Sequence, residues 1–280
     1  MTKTRVAIQG IKGCFHEMAI RAYFPHRQLE IVECLSFDLM GKSLASKESD
    51  MAVMAIENSI AGSILPNYSL LERHSFRIVG EIYLRIKMNL LGLPGATIGK
   101  LASVESHPMA LWQCQEFLSQ YPHLQLLEGT DTAGSARSVF VAQDPSKAAI
   151  GSELAAEIYH LEILSRGIET NRQNFTRFLI LVREEEAEEI QEKKKASLNF
   201  QTSHEPGALV QVLSVLSDLG LNMTKIQSVP ILGEPYKYTF HCDIEWTSEE
   251  VKFVQALELM SAKTQHLRVM GVYQKGDFLV

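Results

Sequence analysis

The 280 residues are 46% hydrophobic and 21% charged, an ordinary globular composition with length enough for one large or two modest domains. Lys and Arg number 27 against 33 Asp and Glu, and the formal charge of −6 disfavours a nucleic-acid partner while still allowing a local cationic pocket. Cys14, Cys34, Cys114 and Cys242 stand far apart with no C-x-x-C pair, which argues for reduced thiols over a disulfide or zinc framework.

The opening "MTKTRVAIQGIKG" has basic residues but no apolar segment of signal-peptide length, and no later run reaches membrane-spanning length. A cytoplasmic protein without a membrane partner is the expectation. "RVAIQG" reads as a short strand ending at Gly10, and His16 to Tyr23 has helical spacing. "MAVMAIEN" from Met51 reads as a buried strand, and "RIVGEIYLRIKMNLLGL" as extended chain, two strands with a crossing between them. "PMALWQCQEFLSQ" from Pro108 carries apolar residues at helical spacing, with Pro in the favoured first turn. "GSARSVFVAQ" predicts a helix and "KAAIGS" a strand. "ELAAEIYHL" predicts a helix behind a Ser152 cap, and "FTRFLILV" returns to strand. Alternation of this kind predicts α/β layers around a parallel or mixed sheet.

Small polar residues sit at several strand ends: Glu57-Asn58-Ser59, Ser106-His107, Thr130-Asp131-Thr132 and Gly151-Ser152. Each is by itself an ordinary helix cap. At corresponding places in an open α/β sheet, together they suit a small anionic ligand.

"REEEAEEIQEKKKA", Arg183 to Ala196, runs acidic then basic with little to bury and reads as a solvated connection. The expected division is 1–183, a charged linker 184–196, and 197–280. In the last part "SLNFQTS" predicts a strand, "GALVQVLSVLSDLG" an amphipathic helix stopped by Gly220, and "LNMTKIQSVPI" a strand. "YKYTFHCDIEW" predicts a strand with Tyr236, Tyr238, Phe240 and Cys242 on one face. "SEEVKFVQALELMSAKT" predicts a helix capped by Ser248, and "HLRVMGVYQ" a final strand. The order βαββαβ is the ferredoxin-like plan.

Four ordered stretches carry a family resemblance. "AIENSIAG" (Ala55 to Gly62), "SHPMALWQC" (Ser106 to Cys114), "AAIGSELAAEIYHLEIL" (Ala148 to Leu164) and "NFTRFLIL" (Asn174 to Leu181) resemble the motifs of prephenate dehydratases. The form resembled is the monofunctional one with a C-terminal ACT regulatory domain. The resemblance spans essentially the whole chain. It departs in "GIKGCFHE" (Gly10 to Glu17), where the family's G-P-x-G-T-F-S loses Pro and Thr and gains Cys14 and His16. Ala55 and Met109 also depart, and the family's E-S-R-P becomes Gln227-Ser228-Val229-Pro230.

The resemblance implies a two-lobed α/β catalytic domain like periplasmic binding proteins, 1–183, with its cleft between lobes, followed by the α+β ferredoxin-like ACT domain. It implies conversion of prephenate to phenylpyruvate, water and CO₂ in phenylalanine biosynthesis, with no cofactor and no metal. Thr176-Arg177-Phe178 is the implied catalytic signature. Thr176 would donate a hydrogen bond to the departing hydroxyl, Arg177 would hold a carboxylate, and Phe178 would pack beneath the site. Without the resemblance, Thr176 reads as a β-branched strand residue and Arg177 as a surface charge. Asn58, Ser59, Ser106, Thr132, Ser152 and Asn174 are the candidate substrate contacts. His107 reads equally as a general acid or a local cap, and His16-Glu17 reads as structural, because consecutive helical residues point apart.

The resemblance further implies L-phenylalanine as effector, bound by Gly207, Ala208, Leu209 and Val210 at a helix start. Asn222, Met223, Gln227 and Ser228 of the next strand complete that site, with Asn222 and Met223 reaching it from a partner subunit in a homodimer or homotetramer. A non-catalytic two-lobed sensor of a small anion or amino acid is the alternative, since the same fold serves both.

Overall fold

The computed structural model describes residues 3–188, 193–231, 233–247 and 251–279. In chain order the first elements are β1 (Thr4–Gln9), α1 (Phe15–Tyr23), β2 (Leu29–Cys34), α2 (Phe37–Ala45), β3 (Met51–Asn58) and β4 (Gly62–Ser63). There follow α3 (Leu65–Arg73), β5 (Phe76–Arg85), β6 (Asn89–Gly92), β7 (Ser103–Ser106), α4 (Pro108–Gln113), α5 (Gln115–Leu118) and β8 (Gln125–Glu128). Next come α6 (Thr132–Ala142), β9 (Lys147–Gly151), α7 (Glu153–Ile158), β10 (Glu162–Ser165) and β11 (Phe175–Arg183). The rest are β12 (Lys195–Gln201), α8 (Ala208–Asp218), β13 (Asn222–Pro230), β14 (Tyr238–Glu245), α9 (Val251–Ser261), β15 (His266–Tyr273) and β16 (Phe278–Leu279).

Two compact units form: Met1–Gly62, Tyr83–Phe178 and Phe278–Val280 make the first, and Ser63–Ile82 with Leu179–Asp277 the second. The first contains two sheets. One runs β16-β5-β11-β3-β1-β2, with β5 and β11 continuing along the chain into the second unit. β1 pairs in parallel with both β2 and β3, as an apolar run buried on both faces requires. Val6, Ala7, Ile8, Ala52, Val53 and Met54 are fully buried there, covered by Ala19 and Ile20 of α1 and Met40 and Leu44 of α2. The other sheet is mixed, ordered β10-β6-β9-β7-β8, with its core made by Leu91, Ala136, Val139, Ala149 and Ala155.

Caps set where the helices begin. Ser36 Oγ accepts from Leu39 N at 3.2 Å, Asp131 from Gly134 N at 2.7 Å, and Ser152 Oγ from Ala155 N at 2.9 Å. The helix expected over Pro108–Gln120 is two helices, because the chain breaks at Cys114, whose φ and ψ of −105° and 14° are not helical. Tyr236 is not on the strand face expected for it: it stands in a turn before β14 at φ +65°, with 78% of its surface exposed. Ser248 lies outside the described residues.

In the second unit β12, α8, β13, β14, α9 and β15 follow the βαββαβ order, and the antiparallel sheet runs β13-β14-β12-β15. Ala196, Leu198, Phe200, Val212, Leu216, Ile244, Phe253 and Met260 form the core between sheet and helices. Residues facing away from that core are polar and buried. Lys195 Nζ meets Glu81 at 2.9 Å, His241 Nε2 meets Glu72 at 2.9 Å, and Ser197 Oγ donates to Asp243 at 2.5 Å. Such pairing adds little net stability but penalises any arrangement that leaves a buried charge alone. Lys195 and Ala196 open β12 and are buried. No helix among the described residues is long and apolar enough to cross a membrane.

Candidate active site

β11 carries Thr176, Arg177 and Phe178 into the interior of the first unit, with 8%, 4% and 1% of their surfaces exposed. Strand alternation sends Thr176 and Phe178 to one face and Arg177 to the other. Arg177 is therefore no surface charge. Its guanidinium carbon lies 5.9 Å from the centre of the Tyr83 ring, within reach of a cation–π contact.

Asn58 ends β3, and its Oδ1 accepts from the amides of Ile60 at 3.0 Å and Ala61 at 2.9 Å. Those two bonds fix which way the carboxamide faces. Nδ2 is left to donate to Asn174 Oδ1 at 2.7 Å and to Thr176 Oγ1 at 2.9 Å. A carboxamide nitrogen only donates, so the threonine oxygen accepts here and its own proton points away from Asn58. Asn174, fully buried, donates in turn to Gln113 Oε1 of α4 at 2.9 Å. Thus β3, β11, the residue preceding it and α4 hold one hydrogen-bonded row that ends on the Thr176 hydroxyl.

Several candidate hydroxyls have backbone partners. Ser59 Oγ donates to Gln173 O at 2.8 Å and accepts from Phe175 N at 2.9 Å, stitching the end of β3 to the start of β11. Ser106 Oγ donates to Ile150 O at 2.8 Å, across from β7 to β9. Ser152 Oγ donates to Gly13 O at 2.5 Å while capping α7. Thr132 is the first residue of α6, where Asp131 is the cap. His107 is exposed and caps α4, its Nδ1 accepting from Met109 N at 3.1 Å, which puts the ring proton on Nε2.

The altered Gly10–Glu17 stretch packs against this region. Gly13, at φ +90°, brings its backbone so close to Ala155 that a Cβ there would lie 2.9 Å from that residue's Cα. Its amide donates to Glu17 Oε2 at 2.7 Å, and Glu17 Oε1 accepts from Arg21 Nη2 at 2.6 Å. His16 turns elsewhere: its Nε2 accepts from Ala55 N at 3.4 Å and its ring meets Phe178 edge-on at 5.0 Å. Burial alone drives the imidazole down to about 3, so His16 is neutral. Burial likewise pushes Cys14 and Cys114 up to about 12, keeping both as thiols. No cluster of His, Cys, Asp and Glu suited to a metal occurs among the described residues.

The structure thus brings Asn58, Asn174 and Thr176 into one hydrogen-bonded group, with Phe178 on the same face of β11 as Thr176 and Arg177 on the opposite face. Gln113 and Tyr83 were missed by sequence reasoning. Gln113 lies inside the quoted "SHPMALWQC", whereas Tyr83 stands in a strand with nothing to mark it. The expected effector residues lie in the second unit. Gly207 opens α8 at φ +84°, Ala208 and Leu209 begin that helix, and Val210 is 65% exposed. Asn222, Met223, Gln227 and Ser228 lie on β13, an edge strand of its sheet, where Gln227 Nε2 donates to Ser228 O at 2.9 Å.

The model of the prephenate dehydratase family matches residues 6–186. The chain belongs to the prephenate dehydratase family. A bifunctional chorismate mutase/prephenate dehydratase of Enterobacter agglomerans is 35% identical over 271 residues, covering 96% of this chain and 70% of its own. Among solved structures, a protein described as a novel type of quorum-quenching acylase, GqqA, superposes with a TM-score of 0.87 at 30% identity, covering 97% of this chain and 98% of its own. The prephenate dehydratase of Arthrobacter aurescens in complex with L-Phe superposes at 0.86 with 24% identity, covering 96% and 90%, and shows the shared fold. All three matches extend beyond residue 186 into the second unit, as the coverage requires.

Proposed function

We propose that this chain converts prephenate to phenylpyruvate, water and CO₂, with Thr176 as the donor to the departing oxygen. The observation that carries the reading is the Asn58 Nδ2 to Thr176 Oγ1 bond, which makes the threonine an acceptor on one side and a donor on the other. In the reaction the bond between the ring carbon and the ring carboxylate breaks and CO₂ leaves. The released electron pair moves through the ring and expels the hydroxyl on the opposite carbon, which takes up a proton to become water. Aromatisation drives the step, so no covalent nucleophile is needed. A positioned donor to the leaving oxygen is worth about 10²–10³ in rate, or about 2.7–4 kcal/mol.

Arg177 serves as the carboxylate anchor, its planar fork matching the two oxygens. Phe178 supports the site from the same face of β11 as Thr176, and Asn58, Asn174 and Gln113 position the hydroxyl. Ser59, Ser106, His107, Thr132 and Ser152 shape the surroundings, and the partners of the three serines support a positioning part for them. The same serines weigh against acyl transfer of the kind named for GqqA. Each hydroxyl donates to a main-chain carbonyl and to no base, and the nearby thiol of Cys14 is held protonated.

The division proposed is a catalytic domain over 1–183, a charged connection over 184–196 whose last two residues already belong to β12, and an ACT regulatory domain over 197–280 whose final strand, β16, pairs with β5 in the first unit. In this reading phenylalanine binds at Gly207–Val210 with Asn222, Met223, Gln227 and Ser228, in a homodimer or homotetramer. The βαββαβ order of β12 to β15 and the positive φ at Gly207 support it. The deciding assay follows phenylpyruvate from prephenate with the purified full-length chain. Turnover supports the enzyme; binding of prephenate without turnover supports the sensor.

A further inference from the structure

We infer that Phe278, two residues before the end of the chain, is a positioning residue for Arg177, acting through the ring of Tyr83. The inference rests on the proposed role of Arg177 as carboxylate anchor. After residues 179–277 have formed the second unit, the chain returns to the first, where Phe278 and Leu279 add a parallel strand to β5 in register with Tyr83 and Leu84. The Phe278 ring stacks on Tyr83 with centroids 4.5 Å apart and planes 16° from parallel. Tyr83 also lies under the Arg177 guanidinium carbon, 5.9 Å from the ring centre. Phe278 also meets Phe175 edge-on at 5.5 Å, and Phe175 is the neighbour of Thr176 on β11.

Phe278 therefore touches the two residues that flank the Thr-Arg pair, one by sequence and one by ring contact. Its burial is too slight for a core role, since 58% of its surface is exposed. What it covers is one face of Tyr83, and that limits how the tyrosine can tilt. A guanidinium held over a ring depends on the ring's orientation, because the attraction comes from the π face and fails at the edge. A buried arginine loses rotamer freedom, and a ring held at a fixed tilt favours the rotamer that lies over it. Substrate affinity, more than the bond-breaking step, is thus the quantity Phe278 controls.

The test compares kcat and KM for prephenate in the full-length parent with Phe278→Ala, Phe278→Leu, Phe278→Tyr, Tyr83→Ala and the Phe278→Ala/Tyr83→Ala double variant. Loss of one aromatic pair corresponds to roughly a three- to tenfold change, and the expected result is a KM rise of that size in Phe278→Ala with kcat within about twofold. Phe278→Leu keeps apolar bulk for β16 and should match the alanine variant in KM while unfolding at the parent's temperature. Phe278→Tyr keeps the stack and should restore the parent's KM. Tyr83→Ala should raise KM by itself, and adding Phe278→Ala should raise it no further. Parental kinetics in Phe278→Leu, or equal further losses in the Tyr83→Ala background, overturn the inference. If instead Arg177→Lys leaves kcat and KM unchanged, the anchor reading itself is what fails.

Discussion

Asn58 Nδ2 donates to Thr176 Oγ1 at 2.9 Å, and it can do so only because Asn58 Oδ1 is already taken by the amides of Ile60 and Ala61. The turn after β3 thereby decides the direction in which a hydroxyl on β11 gives its proton. Asn58→Asp reverses that polarity with almost no change in shape. A carboxylate accepts, so Thr176 would donate to it and the leaving oxygen would lose its donor. The expected result is a fall in kcat of about 10²–10³ with the fold intact by circular dichroism, and a kcat within a few-fold of the parent would contradict it.

Arg177→Lys keeps the charge but not the planar fork. KM for prephenate should rise and kcat/KM should fall by at least about tenfold, the scale of a lost charge-assisted hydrogen bond. Steady-state kinetics on the lysine variant check this, and unchanged constants would remove the bidentate contact.

His16 gives a stability prediction. Its folded value of about 3 lies below the ordinary 6.5, so the unfolded chain binds the extra proton between those pH values. Stability is therefore unaffected above about pH 6.5 and falls as the pH drops below it. By pH 5 the loss from this one group is about 2 kcal/mol. Urea melts of the parent and of His16→Phe at pH 7.5 and pH 5 should show the parent losing more than the variant by about that amount, and equal losses would count against a buried neutral imidazole.

Much of the fold was legible because apolar runs and caps act locally. "MAVMAI" gave β3, and Ser152 gave the start of α7. The break at Cys114 was not legible, since "PMALWQCQEFLSQ" keeps helical spacing through it. Nor was the placing of residues 63–82 in the second unit, which rests on pairs such as Glu81 with Lys195 that are distant in sequence. The site divides the same way. Thr176, Arg177, Asn58 and Asn174 sit in recognisable stretches, whereas Tyr83 and Phe278 matter through a register between β5 and β16 that no local pattern announces. The candidate serines were legible as polar residues at strand ends, but their bonds to the carbonyls of Gln173, Ile150 and Gly13 were not.

The proposed phenylalanine regulation has its own test. Gly207 takes φ +84° at the start of α8, a conformation a β-branched residue adopts only under strain. Calorimetry should detect phenylalanine binding to the parent and at least about tenfold weaker binding to Gly207→Val, with dehydration inhibited only in the parent. Inhibition reflects coupling energies of about 1–3 kcal/mol in such systems. Absence of heat with the parent, or equal affinities, would move the effector site elsewhere.

Service of the leaving oxygen by the Thr176 hydroxyl is measured by kcat for phenylpyruvate formation in the parent, Thr176→Ser and Thr176→Val. Serine keeps the hydroxyl and valine keeps the shape. Substantial activity is expected with serine and a loss of at least about 10²-fold with valine, both variants unfolding at nearly the parent's temperature. A valine variant with the parent's kcat would contradict it.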